Sequence, residues 1–130
     1  SEGRIFLENE KSYKFLDKVW INKKNYNLQK EILKNNVWLL KKWWQLIYST
    51  CTIDPLENEW IVHFLLCNYK KLEIQDISKF FNQDWLKNLS KNWIKKYRNY
   101  LFKKEVSKCI RILPSESTEW FFIAKFINKG

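Results

Sequence analysis

Glycine occurs only twice in the 130 residues, at Gly3 and Gly130, and proline only at Pro55 and Pro114. Hairpin turns that need a positive φ therefore have no glycine inside the chain to occupy them. Phosphate-cradling glycine loops are excluded for the same reason. Methionine is absent, alanine appears once, at Ala124, and histidine once, at His63. One histidine cannot make a multi-histidine metal site. A nucleophile triad would have to gather round His63, with Glu59 and Cys67 one helical turn to either side. Three side chains along one helix face seldom converge on one substrate atom. No catalytic residue, cofactor or metal is expected, and the chain is read as non-enzymatic. The longest nearly apolar run, Trp60 to Cys67, is far short of the roughly 20 residues that cross a bilayer.

What the chain does have is aromatic bulk and positive charge. Aromatics make up 18% of the residues and hydrophobic side chains 45%, too much for a disordered chain. The length suits one domain spanning 1–130, with a core over about 10–113 and a C-terminal helix or tail over 114–130. The net charge of +10 favours an anionic partner of some class. It is concentrated in Lys18–Lys42 and Lys91–Arg111, while Cys51–Ser90 carries more acids than lysines. Lysine, asparagine and isoleucine have AT-rich codons, so codon drift accounts for part of this charge. Cys51, Cys67 and Cys109 are odd in number and lack CxxC spacing, which points to buried reduced thiols in a reducing compartment.

Scarce turn residues and helical spacing of the apolar positions predict an all-α bundle of five to seven helices with an aromatic-rich core. Helices are expected over Glu10–Lys24, Leu28–Cys51, the apolar Trp60–Cys67 stretch, Glu73–Phe81 and a short turn from Asp84 to Leu86. Asp54-Pro55-Leu56-Glu57 carries the start signal of the third: a capping acid, a first-turn proline and a glutamate three residues on. A long helix from Ser90 to Leu113 changes its apolar face near Leu101, and a last helix follows over Ser115–Asn128.

Two basic faces are candidate partner sites. Lys34, Lys41 and Lys42 share a helical arc with Trp38, and Lys91, Lys95 and Arg98 form an i, i+4, i+7 row. Trp38 on a lysine face would be an interface anchor, unless the first helix or the tail covers it. An acidic protein segment is the expected partner, an anionic lipid surface the second candidate and nucleic acid the third. No sequence feature sets the oligomeric state.

The run Glu10-Lys-Ser-Tyr-Lys-Phe-Leu-Asp-Lys-Val-Trp20, followed by Tyr26-Asn-Leu, Trp38, Phe80-Phe81, Trp93 and Leu101, resembles the helical PHIST domain of exported malaria-parasite proteins. The eight tryptophans also resemble the Plasmodium tryptophan-rich antigen domain, without its dense Trp and Glu-rich repeat. The absent methionine and the Ser1-Glu2 start resemble a processed export product. The first resemblance implies export to the host red cell and docking on acidic segments of a surface adhesin or the membrane skeleton. The second implies host-surface or lipid contact.

Overall fold

The computed structural model describes residues 23–81, 94–97, 99–114, 116 and 119–130. In chain order these form helix α1 (Lys23–Leu39), strand β1 (Gln45–Thr50), helix α2 (Glu59–Asn68) and strand β2 (Leu72–Gln75). A 3-10 turn over Ser78–Phe81 follows, then the short strands β3 (Lys96–Tyr97) and β4 (Tyr100–Leu101). A second 3-10 segment, Lys104–Lys108, leads into β5 (Ile110–Ile112) and β6 (Phe121–Asn128).

Alternation decides the C-terminal segment. Phe122, Ala124, Phe126 and Asn128 are buried and their neighbours are less so, the two-residue period of a strand. The expected helix over Ser115–Asn128 is therefore replaced by β6, whose aromatic and β-branched residues suit a pleated surface. This strand is the centre of a four-stranded sheet. Along one edge it pairs antiparallel with β1, Tyr48 opposite Ala124. Along the other edge β2 and β5 lie end to end, Ile74 opposite Phe126 and Arg111 opposite Phe122. Both β1 and β2 run antiparallel to β6, so they run parallel to each other, with α2 as their crossover.

The all-α expectation is thus corrected: among the described residues there are two α-helices and a sheet. The Leu28–Cys51 helix divides into α1 and β1, separated by a turn at Lys41–Trp44 in which Trp43 has a φ of 68°. The Glu73–Phe81 helix becomes the end of β2 and a 3-10 turn, and the Ser90–Leu113 helix yields β3, β4, a 3-10 segment and β5. The first expected helix, up to Asn22, and the turn from Asp84 to Leu86 lie outside the described residues. Glycine scarcity misled because β1 and β2 are joined by a helix rather than by a tight hairpin, so no positive-φ turn is needed between them.

One core runs through these layers. Phe122, Ala124 and Phe126 of β6, Leu72 and Ile74 of β2 and Tyr48 of β1 pack with Ile61, Val62 and Leu65 of α2 and Leu33 and Val37 of α1. Truncating a fully buried aromatic such as Phe126 to alanine costs about 3–5 kcal/mol. On the opposite face Ile77, Ile110 and Ile112 gather with Ile123. α2 is buried on one side only, with Cys67 and Asn68 exposed and Trp60 half-buried.

Candidate active site

β1 delivers its last residue, Thr50, to the carboxyl edge of the parallel pair, and Cys51 is the first residue beyond it. In open α/β sheets ligands bind at that edge. Cys51 is exposed and Cys67 is exposed, whereas Cys109 is buried. The expectation of three buried thiols is therefore corrected for two of them. Burial pushes the Cys109 thiol well above its ordinary value, which makes it inert.

The loop from Cys51 to Asn58 is held from within. The fully buried Asn58 carboxamide accepts a hydrogen bond from the Thr50 hydroxyl and donates to the Thr52 carbonyl at 2.8 Å, gripping both neighbours of Cys51. The Thr52 hydroxyl accepts from the Asp54 amide at 3.2 Å, and the Asp54 carboxylate accepts from the Leu56 amide at 2.9 Å. The start signal at Asp54 thus closes a local turn. The helix proper begins only at Glu59, after Asn58. From the sheet side the Tyr48 hydroxyl donates to the Glu57 carbonyl, and Gln29 of α1 donates to the Glu57 carboxylate at 2.8 Å. Burial, and secondarily Asp54, holds the Glu57 carboxyl above its ordinary range.

A buried ion pair fastens the far end. Arg111 of β5 donates from Nε and Nη2 to the two carboxylate oxygens of Glu59, the second at 2.6 Å, and from Nη1 to the Ile53 carbonyl at 3.3 Å. Glu59 is fully buried and Arg111 is 5% exposed, so the fork geometry is required to offset the desolvation of both charges. Glu59 is therefore committed to Arg111, which removes it from the Glu59–His63–Cys67 stripe seen in the sequence. His63 Nδ1 accepts from the Lys103 amide at 3.0 Å. A backbone amide can only donate, so the ring proton sits on Nε2, 3.4 Å from Cys67 Sγ. Burial, reinforced by Lys103, pushes the His63 pKa down.

Two depressions flank α2. Near its first turn, Leu56, Trp60, Tyr97, Asn99 and Tyr100 line a recess of about 340 Å³. By its C-terminal end lies a groove of about 350 Å³ whose walls include Lys70, Lys71, Lys103, Lys108 and Lys129. The described residues contain no metal-holding group of three or more His, Cys, Asp or Glu.

The sequence-derived contact residues are scattered. Lys34 pairs with Glu31 at 2.8 Å, and Trp38 is 79% exposed. Lys41 and Lys42 sit in the turn after α1, their ammonium groups over the rings of Trp44 and Trp43. Lys95 is exposed and its carbonyl accepts the Phe102 amide at 3.0 Å. Lys91 and Arg98 lie outside the described residues. The residue that sequence reasoning missed is Cys51. Its signal was its place between an alternating run, Leu46-Ile-Tyr-Ser-Thr50, and the Asp54-Pro55 turn.

Cys51 is thus an exposed thiol on a pinned loop at the carboxyl edge of an α/β sheet. A solved structure titled a methyltransferase homolog protein from Pyrococcus horikoshii superposes with a TM-score of 0.59 at 24% identity, covering 94% of this chain and 34% of its own, a likeness of fold. The tRNA (cytosine(49)-C(5))-methyltransferase of Pyrococcus abyssi (strain GE5 / Orsay) is 36% identical over 118 residues, 88% of this chain and 35% of that protein. The profile of the family 16S rRNA methyltransferase RsmB/F matches residues 3–127, and the chain belongs to that family. It spans about a third of the length of the relatives it matches.

Family membership overturns the readings drawn from aromatic spacing. Neither the PHIST nor the tryptophan-rich antigen resemblance holds: the family profile covers residues 3–127, and of the residues that carried the first, Leu101 lies in β4 and Phe80-Phe81 in a 3-10 turn rather than on helix faces. With them go the non-enzymatic role, the export to the host red cell, the lipid or host-surface alternative and the acidic protein segment as partner.

Proposed function

We propose that this chain forms the base-facing, cysteine-bearing portion of an RNA cytosine C5-methyltransferase, with Cys51 as the nucleophile. The observation that carries this reading is Cys51 itself, exposed at the carboxyl end of β1 on a loop gripped by buried Asn58. The C5 carbon of cytosine is a poor nucleophile in the intact aromatic ring. Addition of a thiolate to C6 forms a C–S bond and moves an electron pair toward C5, which then reacts as an enamine. Once C5 has bonded an electrophile (a methyl group in methylation, a solvent proton in exchange), loss of the original C5 proton to solvent and cleavage of the C–S bond restore the ring and release the thiolate. A nucleophile held in one place is worth more than a mobile one, because its orientation is settled before the base arrives.

Methyl transfer also needs a donor, and the Cys51–Asn58 loop offers no site for one. The polar groups of the Cys51–Asn58 loop bond to one another and to Gln29, Tyr48, Thr50 and Arg111, and no glycine there lets a backbone close on a ligand. The step assigned to this chain is the addition at C6. An RNA substrate fits the net charge of +10. The contact role of Lys34, Trp38, Lys41, Lys42, Lys91, Lys95 and Arg98 is proposed for RNA, with phosphates as the anions.

Addition without a donor has its own signature. Each reversible attack lets C5 take a proton from solvent, so cytosine C5–H exchanges in deuterium oxide. Single-stranded RNA incubated with the full chain should exchange at cytosine C5, and Cys51→Ser should stop it while Cys67→Ser should not. Exchange that survives Cys51→Ser, or that never occurs with the wild type, sinks the reading.

A further inference from the structure

The recess beside the first turn of α2 has the features of a site for a flat, aromatic ligand. Trp60 and Tyr100 line it with their rings in tilted contact, centroids 4.8 Å apart and planes at 55°, so the ligand surface is the exposed side of Tyr100 rather than a gap between the rings. Trp60 is fixed from behind: its indole N–H donates to the Tyr26 hydroxyl at 2.8 Å, and Tyr97 and Phe102 meet its ring edge-on at 6.5 and 6.0 Å. With the indole N–H already used, what the wall offers is ring face. Tyr100 is 51% exposed although it is a large aromatic, and Asn99 on the same rim is exposed with an amide that can both donate and accept.

Position links this recess to Cys51. Leu56, one of its lining residues, belongs to the loop that Asn58 grips, and Trp60 is in the first turn of the helix that this loop opens. The recess therefore lies toward the carboxyl edge where Cys51 sits, whereas the lysine groove lies by the opposite end of α2. Exposed Lys95 precedes β3 and exposed Lys96 is its first residue, placing positive charge on the segment that carries Tyr97 and Tyr100. Aromatic faces with interleaved cations are what single-stranded nucleic acid needs: bases stack, phosphates are neutralised.

We propose that Leu56, Trp60, Tyr97, Asn99 and Tyr100 form a stacking subsite for an unpaired nucleobase that flanks the target cytosine. The proposal rests on the RNA methyltransferase reading and extends it to how the strand is held. A flanking base laid on the exposed ring of Tyr100, at the mouth of the recess, fixes the register of the strand and so presents its neighbour to Cys51. Stacking reads a π-face, so the subsite tolerates any base, with Asn99 adding a polar preference.

The test uses the full chain and a single-stranded RNA hexamer with one central cytosine. Abasic residues replace each position flanking the cytosine in turn, and affinity is read by fluorescence anisotropy. One flanking position should cost the wild type about tenfold in affinity, within the range that removing a stacked base or its aromatic partner produces. Tyr100→Ala should cost a similar factor with the intact hexamer and nothing further with that abasic hexamer, while Tyr100→Phe binds as the wild type. The slope of log affinity against log salt should be unchanged in Tyr100→Ala, because no phosphate contact is removed. If no flanking abasic substitution weakens wild-type binding, or if the abasic and Tyr100→Ala losses add in full, the subsite is wrong. The abasic series on the wild type is decisive even if Tyr100→Ala folds poorly. The readings fail separately. A wrong assignment of Cys51 shows as absent C5–H exchange with hexamer binding intact. A wrong subsite shows as exchange intact and flanking bases dispensable.

Discussion

Replacing Arg111 by methionine leaves the fully buried Glu59 carboxylate without its two guanidinium hydrogen bonds and takes a donor from the Ile53 carbonyl. Methionine matches the length of the arginine stem and fills most of its volume, so the loss is electrostatic rather than a cavity. Stranding one partner of a buried pair costs about 3–5 kcal/mol. For a domain of this size each kcal/mol moves the melting temperature by about 3–5 °C, so the midpoint should fall by about 9–25 °C. Arg111→Lys should fall between, since an ammonium keeps the charge but not the two-pronged geometry. The decisive arm is the double variant Glu59→Leu with Arg111→Met, which removes both charges and should recover most of the lost stability. Urea denaturation at neutral pH measures all four proteins on one scale. A deficit below about 1 kcal/mol for Arg111→Met, or a double variant no better than the single, would refute the reasoning. Because the same arginine ties Ile53 to Glu59, Arg111→Met should also slow the Cys51-dependent C5–H exchange at temperatures where the protein remains folded.

Two further outcomes are expected. Trp43 is 60% exposed at a φ of 68°, a backbone region that costs a residue with a Cβ about 1–2 kcal/mol. Trp43→Gly should therefore raise the melting temperature despite the lost cation–π contact with Lys42, whereas Trp43→Ala, which keeps the strain and loses the ring, should lower it. His63 is held below its ordinary pKa, first by burial and then by Lys103. The unfolded chain then takes the proton more readily, so stability is full above about pH 6.5 and falls as pH drops through the folded value. His63→Gln should flatten that slope in melting curves between about pH 5 and 7, and an unchanged slope would assign the titration to another group.

Legibility in the sequence followed the physics of each segment. The Trp60–Cys67 stretch is apolar and has a start signal before it, and α2 covers it as Glu59–Asn68. α1 occupies the front half of a stretch read as one helix. The back half, Gln45–Thr50, was misread because six residues cannot distinguish a helical stripe from an alternating strand: Ile47 and Tyr48 fit a helical arc, yet the sheet exposes one and buries the other. The same ambiguity hid β2, β5 and β6. Cys51 was taken for a buried thiol because, inside a helix, its position closes an apolar stripe. At the end of a strand the same residue is the first one past the sheet.

The sequence by itself determined the net charge, the aromatic content and the scarcity of positive-φ turns. Local apolarity also placed a helix at Trp60–Cys67, whereas α1 runs unbroken through Lys24–Leu28, where two separate helices were expected to meet. Only the tertiary structure decided that Phe121–Asn128 is a strand, because its hydrogen-bond partners are residues 45–50, 72–75 and 110–112. That same pairing makes the end of β1 an edge of the sheet and brings Arg111 to Glu59. Helix signals are written in neighbours three and four residues apart, whereas a sheet is written in partners that only the folded chain brings together.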